Sequence, residues 1–176
     1  MATLAGVAAP VPLEEVKASL RIVGSEEDAL LAGLVRSAAA CCEDFTRLSL
    51  IEREVTETLA ARGGWVRLAR TPVRAILEVS RIGEDGAAEA LPAGGYEIDI
   101  DASGDGWVRS AGTRGRLSAT YRAGLGAGWN AVPEPLRQGI VRLAAHFYTH
   151  RDAADGGAPP AAVTALWLPY RRLRLR

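Results

Sequence analysis

At Ile51 the hydrophobic period of this chain changes from helical to alternating, and at Pro133 it changes back. A 3.6-residue pattern does not settle as a strand, nor a two-residue pattern as a helix. The two switches therefore fix a helix–strand–helix order before any side-chain chemistry is considered. On the N-terminal side, Leu13 to Leu20 reads as a short helix with Pro12 near its start and Gly24 after it. Ser25-Glu26-Glu27-Asp28 then offers a capping hydroxyl and first-turn acids for a longer helix. Its apolar stripe is Leu30, Leu31, Leu34, Val35, Ala38, Cys41, Cys42 and Phe45, spread over about six turns.

In the middle, Ile51, Arg53, Val55, Glu57 and Leu59 alternate with polar neighbours, and Gly63-Gly64 turns the chain into Trp65-Val66-Arg67-Leu68. Pro72 precedes a strand over Ala75 to Ile82, and Glu84-Asp85-Gly86 is a hairpin signal before Ala87 to Leu91. Tyr96 to Ile100, Trp107 to Arg109 and Arg116 to Tyr121 complete a set of short strands. After it, Pro133-Glu134-Pro135 opens a long helix whose stripe is Leu136, Ile140, Val141, Leu143, Ala144, Phe147 and Tyr148. Asp152 to Pro160 is a loop of glycine, alanine and proline, and Ala161 to Leu168 is a last short helix stopped by Pro169.

The expected fold class is α+β. It is a mainly helical body, with long N-terminal and C-terminal helices (about 13–46 and 133–168), an inserted antiparallel β-region (about 51–121) and an extended C-terminal arm. Residues 1–169 are expected to form a single domain and residues 170–176 the arm. A chain of 176 residues hides roughly 70% of its unfolded surface, so it folds without disulfides or a structural metal.

Charge removes one broad class. With 21 basic and 21 acidic residues, the chain is not a general nucleic-acid binder, which would be basic overall. Cys41 and Cys42 are helical neighbours about 100° apart, and no third cysteine completes a site. Free buried thiols suit a reducing compartment. Met1 to Leu13 has no positive n-region, and Pro10 and Pro12 break its apolar run. Arg36 interrupts the best candidate for a membrane span. These features predict a soluble protein made in the cytoplasm, with no membrane contact.

Three motifs invite chemistry, and each falls short. Asp99-Ile-Asp101-Ala-Ser103-Gly104 opens like a calcium loop, but its twelfth position is Ser110 where a bidentate glutamate is required, and strands flank it. His146 and His150 share a helix face and could take a metal with Asp152, yet Phe147 stands where a zinc protease has glutamate. Gly124-Leu-Gly126-Ala-Gly128 lacks the spacing and the lysine of a phosphate loop, and Pro133 to Pro135 spoil the next helix N-terminus as a row of donors. No catalytic residue, cofactor-binding residue or metal ligand is assigned.

The end of the chain is different in kind. Arg171-Arg172-Leu173-Arg174-Leu175-Arg176 places four arginines in the last six residues of a chain with zero formal net charge. As a strand it puts Leu173 and Leu175 on one side and Arg172, Arg174 and Arg176 on the other, which suits addition to a partner's sheet edge. As an electrostatic arm its arginines would contact phosphates, with affinity falling steeply in salt. As a terminus without a partner it is simply solvated.

Taken in order, the fragments resemble the head–tail connector, or adaptor, proteins of tailed phages and gene transfer agents. The resemblance rests on Pro12-Leu-Glu-Glu-Val-Lys17-Ala-Ser-Leu20, Glu27-Asp28-Ala-Leu-Leu31 and Glu43-Asp44-Phe45-Thr46. It continues through Thr71-Pro72-Val73, the Gly86 hairpin and Tyr96-Glu-Ile-Asp99. It ends with Tyr121-Arg-Ala-Gly124-Leu-Gly126, Val132-Pro133-Glu-Pro135-Leu136, His146-Phe-Tyr148, Arg151 and Leu168-Pro-Tyr170-Arg. The family has no catalytic motif to carry over, so the resemblance implies a structural role without cofactor or turnover. It implies a dodecameric ring of self copies below the portal, extending the DNA channel and offering a platform to a head-closure (stopper) or other neck protein. Such a subunit is made in the bacterial host cytoplasm and ends in the neck of a virion or gene transfer agent particle. In that setting Tyr170, Arg171, Arg172, Leu173, Arg174, Leu175 and Arg176 are the expected portal-docking residues. The rival readings are an accessory DNA-binding protein that uses the same arginines, and a small metal-dependent enzyme built on His146 and His150.

Overall fold

The computed structural model describes residues 11–92, 94–112, 115–150 and 159–172, and the chain divides into two compact units. One unit is built from the strands between Ile51 and Ala127, and the other from the helices before Leu50 and after Gly128.

The helical unit holds α1 (Leu13–Leu20), α2 (Asp28–Thr46), α3 (Glu134–Thr149) and α4 (Ala161–Trp167). Their buried faces follow the 3.6-residue period: Val16 on α1, Leu31, Val35, Ala38 and Cys42 on α2, and Leu136, Ile140, Leu143 and Ala144 on α3. Ser25 was expected to cap α2, but the helix begins at Asp28 with no side-chain cap. A turn intervenes in which the Asp28 N–H donates to the Ser25 carbonyl at 3.2 Å. Of the expected acids Asp28 does lie in the first turn, with Glu27 at the N-cap, and both also bond to neighbouring helices. Asp28 accepts from Lys17 Nζ of α1 at 2.8 Å, and Glu27 accepts from the Tyr148 hydroxyl of α3 at 2.5 Å.

The strand unit has two antiparallel sheets. The larger contains β1 (Arg53–Ala61), β3 (Val73–Ile82), β4 (Ala88–Ala90) and β7 (Gly115–Ala123) in the order β1-β7-β3-β4. The smaller contains β2 (Val66–Arg67), β5 (Tyr96–Ile100) and β6 (Gly106–Ser110) in the order β2-β6-β5. β1 and β7 pair along nine residues, from Arg53 opposite Ala123 to Ala61 opposite Gly115. Every second residue turns inward, so Val55, Leu59 and Ala61 meet Leu117, Ala119, Tyr121 and Ala123 in one core with Val73, Val79 and Val108.

The expectation of a mainly helical body with long terminal helices is corrected here. Among the described residues the first and last α-helices have only 8 and 7 residues, while seven strands in two sheets enclose a core of their own. The cause is the length of the alternating runs. Nine-residue strands such as β1 and β7 present four inward positions each, enough apolar surface to build a core rather than decorate one.

Candidate docking surface

The last described residues of the helical unit lead up to the expected arm. Trp167 is fully buried, with its ring 5.9 Å from that of Phe45 on α2 and its indole N–H directed at the Leu136 carbonyl, 3.4 Å away. It lies against Gly139 of α3, where a Cβ would come within 2.0 Å of the indole nitrogen. Leu168–Tyr170 then form a 3-10 turn that leaves Leu168 exposed. Arg171 is extended (φ −69°, ψ 123°) with its guanidinium 5.1 Å above the Phe45 ring, and the Arg172 N–H donates to the Thr46 carbonyl at 3.0 Å. Of the expected docking residues, Arg171 and Arg172 thus sit along the C-terminal end of α2, and Tyr170 closes the 3-10 turn before them. Leu173, Arg174, Leu175 and Arg176 lie outside the described residues.

The second surface is β5. It pairs with β6 alone, from Tyr96 opposite Ser110 to Ile100 opposite Gly106, and stands at the edge of its sheet. Ile98 and Ile100 are 47% and 39% exposed there. Glu97 pairs with Arg109 across the strands, and Arg109 also lies 4.9 Å over the Trp65 ring.

The candidate calcium loop is a hairpin turn that its own aspartate ties together. Asp101 Oδ1 accepts from the Ser103 and Asp105 N–H groups at 2.8 and 3.0 Å, and Oδ2 from the Trp107 indole at 3.2 Å. These bonds to the charged form, that from Asp105 first, hold its carboxyl below the usual range. The neighbouring Asp105, paired with Arg67, accepts from the buried Thr71 hydroxyl at 2.9 Å and so ties this turn to the start of β3. That contact between Thr71 and Asp105 was not read from the sequence; a threonine before proline carries no signal for its distant partner.

His146 and His150 do share a helix face, with ring centroids 4.2 Å apart. His150 Nδ1, however, sits 2.8 Å from Thr149 Oγ1 and 3.1 Å from the His146 carbonyl, which occupies that nitrogen within the helix end. Asp152 lies outside the described residues. The glycine corner is equally committed. Glu52 N–H donates to the Gly126 carbonyl at 2.7 Å, and Arg74 Nε to the Gly124 carbonyl at 3.0 Å. Cys42 is buried and Cys41 half-buried. Burial first, then Glu43 and Asp44 respectively, pushes both thiols above the usual range and away from the reactive thiolate.

What remains are two surfaces, the stretch from Leu168 to Arg172 and the edge of β5. A sequence model of the phage gp6-like head–tail connector family matches residues 11–82, from α1 through β3. Over those residues the chain is similar to the phage head–tail connectors. Solved structures extend the likeness over the whole length. The neck of an empty gene transfer agent particle, computed with C6 symmetry, contains a chain 28% identical, with a TM-score of 0.81 over 100% of this chain and 97% of that one. The virion of a native gene transfer agent particle gives the same values. The neck of the native particle, computed with C12 symmetry, has a similar chain at 28% identity and a TM-score of 0.71, over 99% of this chain and 97% of that one. No curated protein matches. The connector is a structural subunit, as the resemblance in its sequence implies.

Proposed function

We propose that this connector closes with copies of itself into a ring in the neck of a phage-like particle, between the portal and the next neck protein. The observation that carries the reading is the match of all of this chain to a neck subunit at 28% identity. The C6 and C12 symmetry of the two neck reconstructions that contain such a subunit supports a ring, for which we propose twelve copies. The role is mechanical: it continues the DNA channel and offers a binding platform, without turnover. Channel-facing surfaces meet DNA, and the free end meets a head-closure or other neck protein. Tyr170 to Arg176 form the portal-docking arm. Its extended start at Arg171 and its alternation of arginine and leucine suit strand addition to a portal edge.

The test is a pull-down against a portal ring from the same genome, with the full chain, a chain ending at Arg172 and a chain ending at Pro169. Capture of the full chain alone supports both the role and the docking arm. Capture of all three keeps the role and removes the arm from docking. Capture of none, with retardation of DNA that fades steeply in salt, replaces the connector ring with a DNA-binding accessory.

A further inference from the structure

The edge of β5 is an unfinished surface with a definite chemistry. Among the described residues its outward N–H and C=O groups have no paired strand, which makes it a template for one. Alternation sorts its side chains. Glu97 and Asp99 lie on the face of their cross-strand partners Arg109 and Trp107, while Tyr96, Ile98 and Ile100 lie on the face of Ser110, Val108 and Gly106. Val108 is fully buried, so this second face is the core side, and Ile98 and Ile100 are half exposed because the sheet stops there. Asp99 has no ion-pair partner among the described residues. A strand that completes this edge must be apolar on one face and basic on the other. A second β5 does not qualify, because it would set Glu97 and Asp99 against acids of like charge.

The chain carries such a strand at its end: Arg172-Leu173-Arg174-Leu175-Arg176. We propose that β5 receives the C-terminal arm of a second copy of this connector as an added antiparallel strand. Leu173 then stands opposite Ile100, Arg174 opposite Asp99, Leu175 opposite Ile98 and Arg176 opposite Glu97. The leucines extend the core face over the two exposed isoleucines, and the arginines meet the acids on the outer face. An arm given to the next copy is a head-to-tail contact, the kind that propagates and closes into a ring. An arm has one strand to give, so this pairing and portal docking exclude each other for any one arm. The self-pairing holds copies together before the portal takes their arms. That ordering rests on the portal reading above, whereas the acceptor strand does not.

The experiment needs no portal. Sedimentation velocity follows the full chain over a range of concentrations, and anisotropy follows a labelled Tyr170–Arg176 peptide titrated with the chain ending at Arg172. The full chain should associate with concentration, and Asp99→Arg should weaken peptide binding about tenfold. A peptide carrying Arg174→Asp should lose about as much on the unaltered chain. The two substitutions together should return affinity to within about threefold of the original. An Asp99→Arg chain that binds the unaltered peptide equally well, or no rescue by the swapped pair, overturns the proposal. So does a full chain that stays monomeric at all concentrations while the shortened chain binds peptide, because the arm then lies on its own β5. Melting curves of Asp99→Arg establish that it is folded. Its capture by a portal ring tests the portal reading separately, since that contact does not involve Asp99.

Discussion

Substituting Gly139 by alanine separates two effects that usually travel together. In an exposed helix interior the change stabilises by about 1 kcal/mol, because alanine loses less backbone entropy. Gly139 is buried on α3, and a Cβ there would stand 2.0 Å from Trp167 Nε1 and 2.7 and 2.8 Å from its Cε2 and Cδ1. A fixed methyl and a planar ring cannot share that space, so Trp167 must leave or α4 must shift. A buried tryptophan hides roughly 200 Å², worth about 5 kcal/mol at 25 cal/mol per Å², and its removal costs about 3–5 kcal/mol in measured series. Taking about 4 kcal/mol for the loss and 1 kcal/mol for the helix gain leaves a net destabilisation of about 3 kcal/mol. Urea unfolding followed by far-UV circular dichroism measures it. The control is the same substitution in a Trp167→Ala chain, where the space is empty and Gly139→Ala should stabilise by about 1 kcal/mol. A Gly139→Ala chain as stable as the parent, or an equal effect in both backgrounds, would refute the steric argument.

Two further outcomes follow from the strand unit. Glu57 points into the core of β1, accepting from the Ala69 N–H at 2.9 Å, and burial raises its pKa above the ordinary carboxylate range despite that bond. Folded protein therefore binds this proton more tightly than unfolded chain, and stability falls as pH rises from the ordinary carboxylate pKa through the raised one. Glu57→Gln should be more stable than the parent at neutral pH and flatten that slope, as read from melting temperatures across pH; an unchanged slope refutes the assignment. At Gly124, where an added Cβ would lie 2.3 Å from the Glu52 nitrogen, alanine should cost about 3 kcal/mol, since backbone cannot yield as a side chain does. Urea unfolding of Gly124→Ala checks this, and a loss below 1 kcal/mol would mean the corner moves freely.

The elements were legible where periodicity decides them. Tyr96–Ile100 is β5 as read, the Glu84-Asp85-Gly86 turn leads into β4, and Pro133 to Pro135 open α3. What the sequence did not disclose is pairing. Inward Val55, Glu57 and Leu59 look the same on an insertion as on a strand of a core-forming sheet, and the mainly helical expectation failed on that ambiguity. Nor does composition place Arg21 and Arg47, which end α1 and α2 with φ of 58° and 63°, a conformation that a sequence reading assigns to glycine. Glu57 falls in the inward register with Val55 and Leu59, but the sequence does not name the Ala69 N–H that partners it there. The arm stood out because its charge is extreme, whereas β5 did not, because an edge is a property of strand order.

That last difference bears on how a connector avoids indiscriminate pairing yet assembles. The edge of β5 exposes Ile98 and Ile100, an apolar strip beside open hydrogen-bonding groups, which is the usual template for indiscriminate pairing. Glu97 and Asp99 change who is admitted. They repel a second β5 by like charge, and they reward a strand whose alternate residues are basic. The arm proposed above is the converse in sequence, with leucines alternating with arginines. Each is incomplete alone and selective for its opposite. The acids on β5 thus protect the free subunit and select its partner at once, so exchanging Asp99 for an uncharged residue should weaken both functions together.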